Sequence, residues 1–369
     1  MTRTIVVWFG DTHGGHRLGL MKPGLTLYQE DEFGNLHPWQ PTLTATQHYL
    51  WNLYLDDIAA VGDLAAGDPI IAYHVGDLTQ GMKYRDQLVS SRLADQFIIA
   101  RHNIEQWFAL DNLTRLDLIV GTPSHTFAEA TAPILVKEIL EARTDLPIHV
   151  VYHARPTIQN VIFDAAHHGP SSGIREWTQG NQLRYYLRSL MIHDVLRGRH
   201  PPHLVLRAHF HKYWPENVRI RLSHVLLAFL RLLETARATD GTIAGLSLED
   251  LWTHNLNTIT VYESQIILLP SYCGMGEHGR KATGSSSTLS NGLVAAEIID
   301  GHLHHVHVFE TELDIRSTET IQVTLCSSQK DPPHTTNHTD TPDPSSPPGP
   351  SAAPPTPNQP TNPNGGDPP

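Results

Sequence analysis

Aspartate and histidine recur in this chain in short motifs placed where apolar runs end. Asp11 and His13 lie in Gly10-Asp11-Thr12-His13-Gly14, directly after the run 4–9. Asp77 lies in Gly76-Asp77-Leu78-Thr79-Gln80-Gly81, after 69–75. Thr122 and His125 follow 116–120, His167 and His168 follow 160–165, and His209 and His211 follow 203–206. An Asp and a His two positions apart, as the chain leaves a strand, project the same way and offer a cation one hard oxygen and one imidazole nitrogen. Singly these motifs are weak: Gly-Asp is commonly a turn, and a histidine at a strand end is commonly solvated or packed. Their succession along the chain is a stronger signal than any one of them. The set is carboxylate and imidazole without thiolate, because the only cysteines are Cys273 and Cys326. Such a set suits Mn²⁺, Fe or Zn²⁺ better than Mg²⁺ alone.

The elements that must position these residues alternate. Strand signals fall at 4–9, 69–75, 116–120, 148–152, 160–165 and 203–206. Helix signals fall at 42–61, within 88–110, at 130–142 and at 182–196. This alternation predicts an α/β domain with a largely internal sheet. Ligands in such sheets gather outside the carboxyl ends of the strands, where all five motifs stand. Residues 14–42 contain a turn signal, DEFGN, and are expected to form a surface hairpin. An amphipathic helix is expected over 221–238 and a long Gly/Ser-rich mobile loop over 273–291. Asp300-Gly301 reads as a two-residue hairpin turn.

Composition bounds the function. The 369 residues carry 38 acidic and 26 basic side chains, a net −12, which argues against a general nucleic-acid binder and leaves room for a nuclease with a local basic groove. Histidine is abundant, at 25 residues, which points toward metal chemistry. No run approaches the ~20 apolar residues a membrane span needs, and the N-terminal segment reads as a strand, so the expected location is the cytoplasm. Residues 331–369 hold 14 of the 27 prolines and no Lys or Arg, and are expected to be a disordered tail. The expected folded domain is 1–326, with a helical insertion at about 215–255.

The ordered motifs resemble the calcineurin-like metallophosphoesterase family, in a form similar to its bacterial and phage members. GDTHGG matches the family's GDxHG, GDLTQG its GDxxxxG, AHHGP its single-histidine motif and AHFH its GHxH. The resemblance spans residues 1–215, with looser support to about 310. It implies a βα sandwich of mixed sheets flanked by helices. It further implies two divalent cations, the first held by Asp11, His13 and His211, the second by His167 and His209, with Asp77 bridging both. His168 would pack behind His167 or meet the leaving group. The implied reaction is hydrolysis of a phosphomonoester or phosphodiester, in a small molecule or a nucleic acid, by a hydroxide bridging the cations, with His125 protonating the leaving group. The sequence departs from the family at the third motif: Thr122 stands where the family has an Asn ligand, and His125 comes three residues later. The contrasting readings are a non-catalytic scaffold or binding protein that keeps the fold, and a nuclease of the same family. His302, His304, His305 and His307, on a late strand, read as a solvated face in preference to a third metal site. Arg184 and Arg188 read as a solvated helix face in preference to substrate contacts.

Overall fold

The run Arg3–Phe9 (β1) has every residue after Arg3 buried, as expected of a strand covered on both faces. Its alternation sorts two cores. Ile5, Val7 and Phe9 face helices, whereas Val6 and Trp8 face a second sheet. In the computed structural model, which describes residues 2–173, 178–223, 259–274 and 288–314, this sorting builds four layers in the order helix, sheet, sheet, helix.

The first sheet has six strands. Ile70–Val75 (β4), Leu113–Ile119 (β5) and Ile148–Val151 (β6) run parallel to β1 on one side. On the other side Thr288–Ile299 (β12) pairs antiparallel with β1, and His302–Asp314 (β13) antiparallel with β12. Asp300 and Gly301, both with positive φ (48° and 82°), make the expected hairpin turn between them. The second sheet orders Trp214–Ser223 (β10), Ile259–Leu268 (β11), Leu204–Arg207 (β9), Val161–Ala166 (β8) and Thr157–Ile158 (β7). Within it, β8, β9 and β11 are parallel. The expected surface hairpin is Leu27–Glu30 (β2) with Leu36–Trp39 (β3).

Helices Ala45–Ala65 (α1), Leu93–Glu105 (α2) and Thr131–Glu141 (α3) supply the outer layer of the first sheet, with Leu50, Tyr54, Ile58, Ala100, Ile104, Val136 and Leu140 in its core. Asn181–Leu196 (α4) covers the second sheet through Leu183, Leu187 and Met191. Thr44 starts α1 with a reciprocal capping box: its hydroxyl accepts from the Gln47 N–H, and the Gln47 side chain accepts from the Thr44 N–H.

Two expectations are corrected. Arg221–Ser223, placed at the start of a helix from the sequence, close β10, and residues 215–220, placed in a helical insertion, belong to the same strand. Val218, Ile220 and Leu222 alternate with Arg219 and Arg221, a period of two that suits a half-buried strand. Thr288–Asn291, placed in a loop, begin β12 and are mostly buried. Residues 224–238 of the expected helix, residues 275–287 of the expected loop, and residues 331–369 lie outside the described residues.

One buried carboxyl carries a stability prediction. Asp57 on α1 accepts a 2.6 Å hydrogen bond from Tyr272 Oη. Burial raises its pKa from 3.8 to about 7, against the lowering effect of that bond. A carboxyl with a raised native pKa binds more protons folded than unfolded, so stability falls as pH rises from about 4 to 7. Asp57→Asn keeps an oxygen for Tyr272 and removes the titration. Its Tm relative to the parent is expected to be higher at pH 8 than at pH 5; an equal difference at both pH values would contradict the assignment.

Candidate metal centre

The loops leaving β1 and β4 continue the parallel pairing of their strands. Asp11, His13 and Gly14 donate their N–H groups to the carbonyls of Gly76, Asp77 and Leu78 at 2.9–3.0 Å. This zipper sets Asp11, His13 and Asp77 side by side. The loops leaving β8 and β9 are tied likewise, Ala208 N–H to His167 O at 3.1 Å. The two sheets then meet at the site. The His209 N–H donates to Asp11 Oδ2 at 2.9 Å, and His167 donates from Nδ1 to the Val75 carbonyl at 2.8 Å.

The backbone is strained where the candidate ligands sit. Asp11 (φ 50°), His13 (43°), Asp77 (50°), His209 (75°) and His211 (52°) all adopt the left-handed region. Each such non-glycine residue costs on the order of 1–2 kcal/mol. Five of the six expected ligands thus share a conformation that persists only where surroundings enforce it.

Among the described residues, Asp and His side chains fall into four overlapping groups of three whose ligand atoms lie within 4.8 Å of one another. Asp11, His13 and His211 form one group; Asp11, Asp77 and His167 another; His13, Asp77 and His125 a third; His167, His168 and His209 the fourth. All six residues expected as ligands from the sequence are therefore brought together.

The first group has the spacing of a coordination shell. His13 Nε2 and His211 Nε2 are 3.3 Å apart, and they lie 3.7 and 3.6 Å from Asp11 Oδ1. Donor atoms about 2.1 Å from one cation in tetrahedral array are about 3.4 Å from each other. Asp11 Oδ1 is buried and has no hydrogen-bond partner, an expensive arrangement unless a cation neutralises it. The residues present therefore fit a divalent cation.

The His13 and His167 imidazoles are oriented from behind, as metal-binding histidines commonly are. Gln80 Oε1 accepts from His13 Nδ1 at 2.9 Å and the Val75 carbonyl accepts from His167 Nδ1, so both Nε2 atoms face the cluster. Asp77 is fixed the same way: Oδ1 accepts the Thr122 N–H at 2.6 Å, and Oδ2 lies 3.1 Å from His167 Nε2 and 3.9 Å from His13 Nε2. Burial opposes the charge on Asp11 and Asp77, yet the surrounding histidines hold both well below the ordinary carboxylate range. Burial also opposes protonation of His167, but Asp77 and Asp11 outweigh it and raise its pKa to about 9. Burial, with His167, pushes His209 down to about 4.

His125 sits in the cluster with an orientation the sequence did not suggest. Its Nδ1 donates to the Gln80 carbonyl at 2.5 Å, which leaves Nε2 bare and 4.0 Å from Asp77 Oδ2. Burial pushes its pKa to about 4, against the pull of Asp77. A bare nitrogen facing the site is the form of an acceptor or ligand, the opposite of what a proton donor to a leaving group needs. Of the paired histidines, His167 is buried against Asp77, while His168 is exposed, its ring centroid 4.8 Å from that of His209.

Sequence reasoning gave no role to Gln80 and treated Thr122 as a missing ligand. In the structure Gln80 orients two histidines, through its side chain and its carbonyl. A polar side chain three residues after Asp77 was the available signal. A cavity of about 270 Å³ opens beside His167 and His168, walled by Val120, Pro123, Ala130 and Tyr152. Its wall includes part of the run Phe127–Ala130, four consecutive residues with φ between 48° and 61°. Elsewhere, His304 and His307 pair with Glu297, which Arg3 also binds, and Arg184 is committed to Glu216 at 2.7 Å. No helix among the described residues is long and apolar enough to cross a membrane.

No family model and no curated protein matches the chain. Among solved structures it is similar to a protein of unknown function from Aquifex aeolicus, at 15% identity and a TM-score of 0.27, over 57% of this chain and 80% of that one. It is also similar to the sulfate thiohydrolase SoxB of Thermus thermophilus in complex with glycerol, at 11% identity and a TM-score of 0.31, over 84% of this chain. That match spans 56% of the SoxB chain, little more than half its length. The site itself gathers two buried carboxylates, the buried His13, His125 and His167, and the half-buried His209 and His211.

Proposed function

We propose that the chain is a metal-dependent hydrolase of phosphoesters, of the calcineurin-like metallophosphoesterase type, with two divalent cations of the Mn²⁺, Fe or Zn²⁺ class. The observation that carries this reading is the shell-like spacing around the partnerless Asp11 Oδ1, with Asp77 next to it facing both His13 and His167. Asp11, His13 and His211 would hold one cation, His167 and His209 the other, and Asp77 would serve both. Bound there, such cations supply Lewis acidity toward phosphoryl oxygens and lower the pKa of water. The chain's own residues do the rest. Gln80 and the Val75 carbonyl keep His13 and His167 in the tautomer with Nε2 free. The Thr122 and His209 N–H groups each hold one oxygen of Asp77 and Asp11, which turns the other oxygen toward the cluster. The organic group of the ester would enter the cavity beside His168, where the exposed Tyr152 ring offers it an apolar wall. His168 faces that group, and His125 contributes an unprotonated nitrogen.

The test is substrate class. Mn²⁺-loaded protein should hydrolyse an aryl phosphodiester or phosphomonoester and leave the corresponding aryl carboxylate ester at background. Hydrolysis of the carboxylate ester alone, or of neither with two cations bound, would overturn the proposal. In the second case the chain is a binding protein.

Loading should also release protons. Asp77 and Asp11 hold His167 protonated up to about pH 9 in the absence of a cation, and His13 is raised in the same sense by Asp11 and Asp77 against burial. Ligating imidazole must be neutral, so apparent Mn²⁺ affinity is expected to rise with pH between about 6.5 and 9. Calorimetric titration at pH 7 in buffers of different ionisation heats should report at least one proton released per chain. A pH-independent affinity with no proton release would contradict the role of His167.

A further inference from the structure

The Thr122 hydroxyl stands among the side chains proposed for the second cation. Thr122 Oγ1 lies 3.1 Å from Asp77 Oδ2, 3.2 Å from His167 Nε2 and 3.4 Å from His209 Nδ1. Asp77 Oδ2 and His167 Nε2 are themselves 3.1 Å apart. A hydroxyl standing in for the cation would be about 2.1 Å from each of these atoms. The separations of 3.1–3.4 Å, hydrogen bonds in the absence of a cation, are also those of neighbouring donors around one cation, about 3.0–3.5 Å apart. We infer that the Thr122 hydroxyl is itself a ligand of the second divalent cation, completing the set Asp77, His167 and His209.

The hydroxyl is held at that vertex by the loop. The Thr122 N–H is bound to Asp77 Oδ1 at 2.6 Å, and its carbonyl accepts from the N–H groups of His125 and Thr126 at 2.8 and 3.1 Å. Gly121 before it lies so close to Asp77 that a Cβ would collide with the Asp77 backbone. The same turn carries His125 to the group of His13 and Asp77, away from the vertex that Thr122 fills. The altered motif is thus divided, Thr122 serving one cation and His125 standing at the other.

A consequence follows for loading. The first position has Asp11 with Asp77 beside it, two carboxylates; the second has one carboxylate, two neutral imidazoles and a neutral hydroxyl. Charge and donor strength both favour the first position, so the two cations should bind in sequence, the second more weakly.

This inference rests on reading the cluster as a two-cation site, and the experiment separates the two. Co²⁺ is titrated into chelator-stripped full-length protein, wild type and Thr122→Cys, and absorption is followed. Wild type should show visible ligand-field bands for two equivalents, the second weaker, and no sulfur-to-cobalt charge-transfer band, although it contains Cys273 and Cys326. Thr122→Cys should add that band with the second equivalent only. Thr122→Val, isosteric but without the oxygen, should weaken the second equivalent about 10–100-fold and spare the first, and Thr122→Asn should retain both. Two cobalt ions bound in Thr122→Cys without a sulfur band, or unchanged affinity in Thr122→Val, would overturn the inference while leaving the two-cation reading intact. Failure of wild type to bind cobalt would overturn both.

Discussion

Asp77→Ala is expected to lower cation content at both positions and to reduce phosphoester hydrolysis by on the order of 10³-fold or more. Two cations contribute several kcal/mol of transition-state charge stabilisation, and about 1.4 kcal/mol corresponds to each tenfold in rate. The Asp77 carboxylate faces both halves of the cluster, at 3.1 Å from His167 and 3.9 Å from His13. His167→Ala should differ, emptying mainly the second position. Elemental analysis of both variants beside the parent checks the contrast. Two cations retained in Asp77→Ala would remove its shared role, whatever the effect on rate.

Gly121→Ala should be nearly as damaging, without removing any ligand. A Cβ at this position would lie 2.2 Å from the Asp77 backbone nitrogen and 2.2 Å from its Oδ1. Neither atom can yield without moving the carboxylate. Overpacking costs about 1–3 kcal/mol in general, which for a folded chain of this size corresponds to a fall in Tm of roughly 2–5 °C. Gly67→Ala is the control: Gly67 has φ of 94° with nothing within 4 Å of a built Cβ, so it should cost only the left-handed strain and leave metal binding unchanged. Equal metal content in the two variants would mean that the loop accommodates a side chain without displacing Asp77.

The strands that place the site were legible because each carries a mostly apolar, mostly buried run into its carboxyl end, as in Ile5–Phe9 of β1 and Ile70–Tyr73 of β4. The ligand candidates were legible because Asp and His are conspicuous at the ends of such runs. What escaped was of two kinds. Contacts made by the backbone carry no residue type, so the Val75 carbonyl behind His167 and the Gln80 carbonyl behind His125 could not be read. The tautomer they impose changes the chemistry available to His125. Spatial neighbours of a substituted residue were equally hidden: a threonine in place of an amide reads as a lost ligand, and the sequence does not show that its hydroxyl lies 3.1–3.4 Å from Asp77, His167 and His209. In the fold, Thr288–Asn291 read as loop because polar side chains are rarely buried. Here Asn291 is buried with its amide donating to the carbonyls of Ser271 and Cys273.

The most direct test is the rate of aryl phosphodiester hydrolysis as Mn²⁺ is added stepwise to chelator-stripped protein, with bound metal measured on the same samples. The stripped protein should be inactive. Activity should remain low through the first equivalent and climb with the second, reaching its plateau at two Mn²⁺ per chain. Full activity in the stripped protein, or a plateau at two bound cations that does not exceed the Asp77→Ala control, would contradict the account.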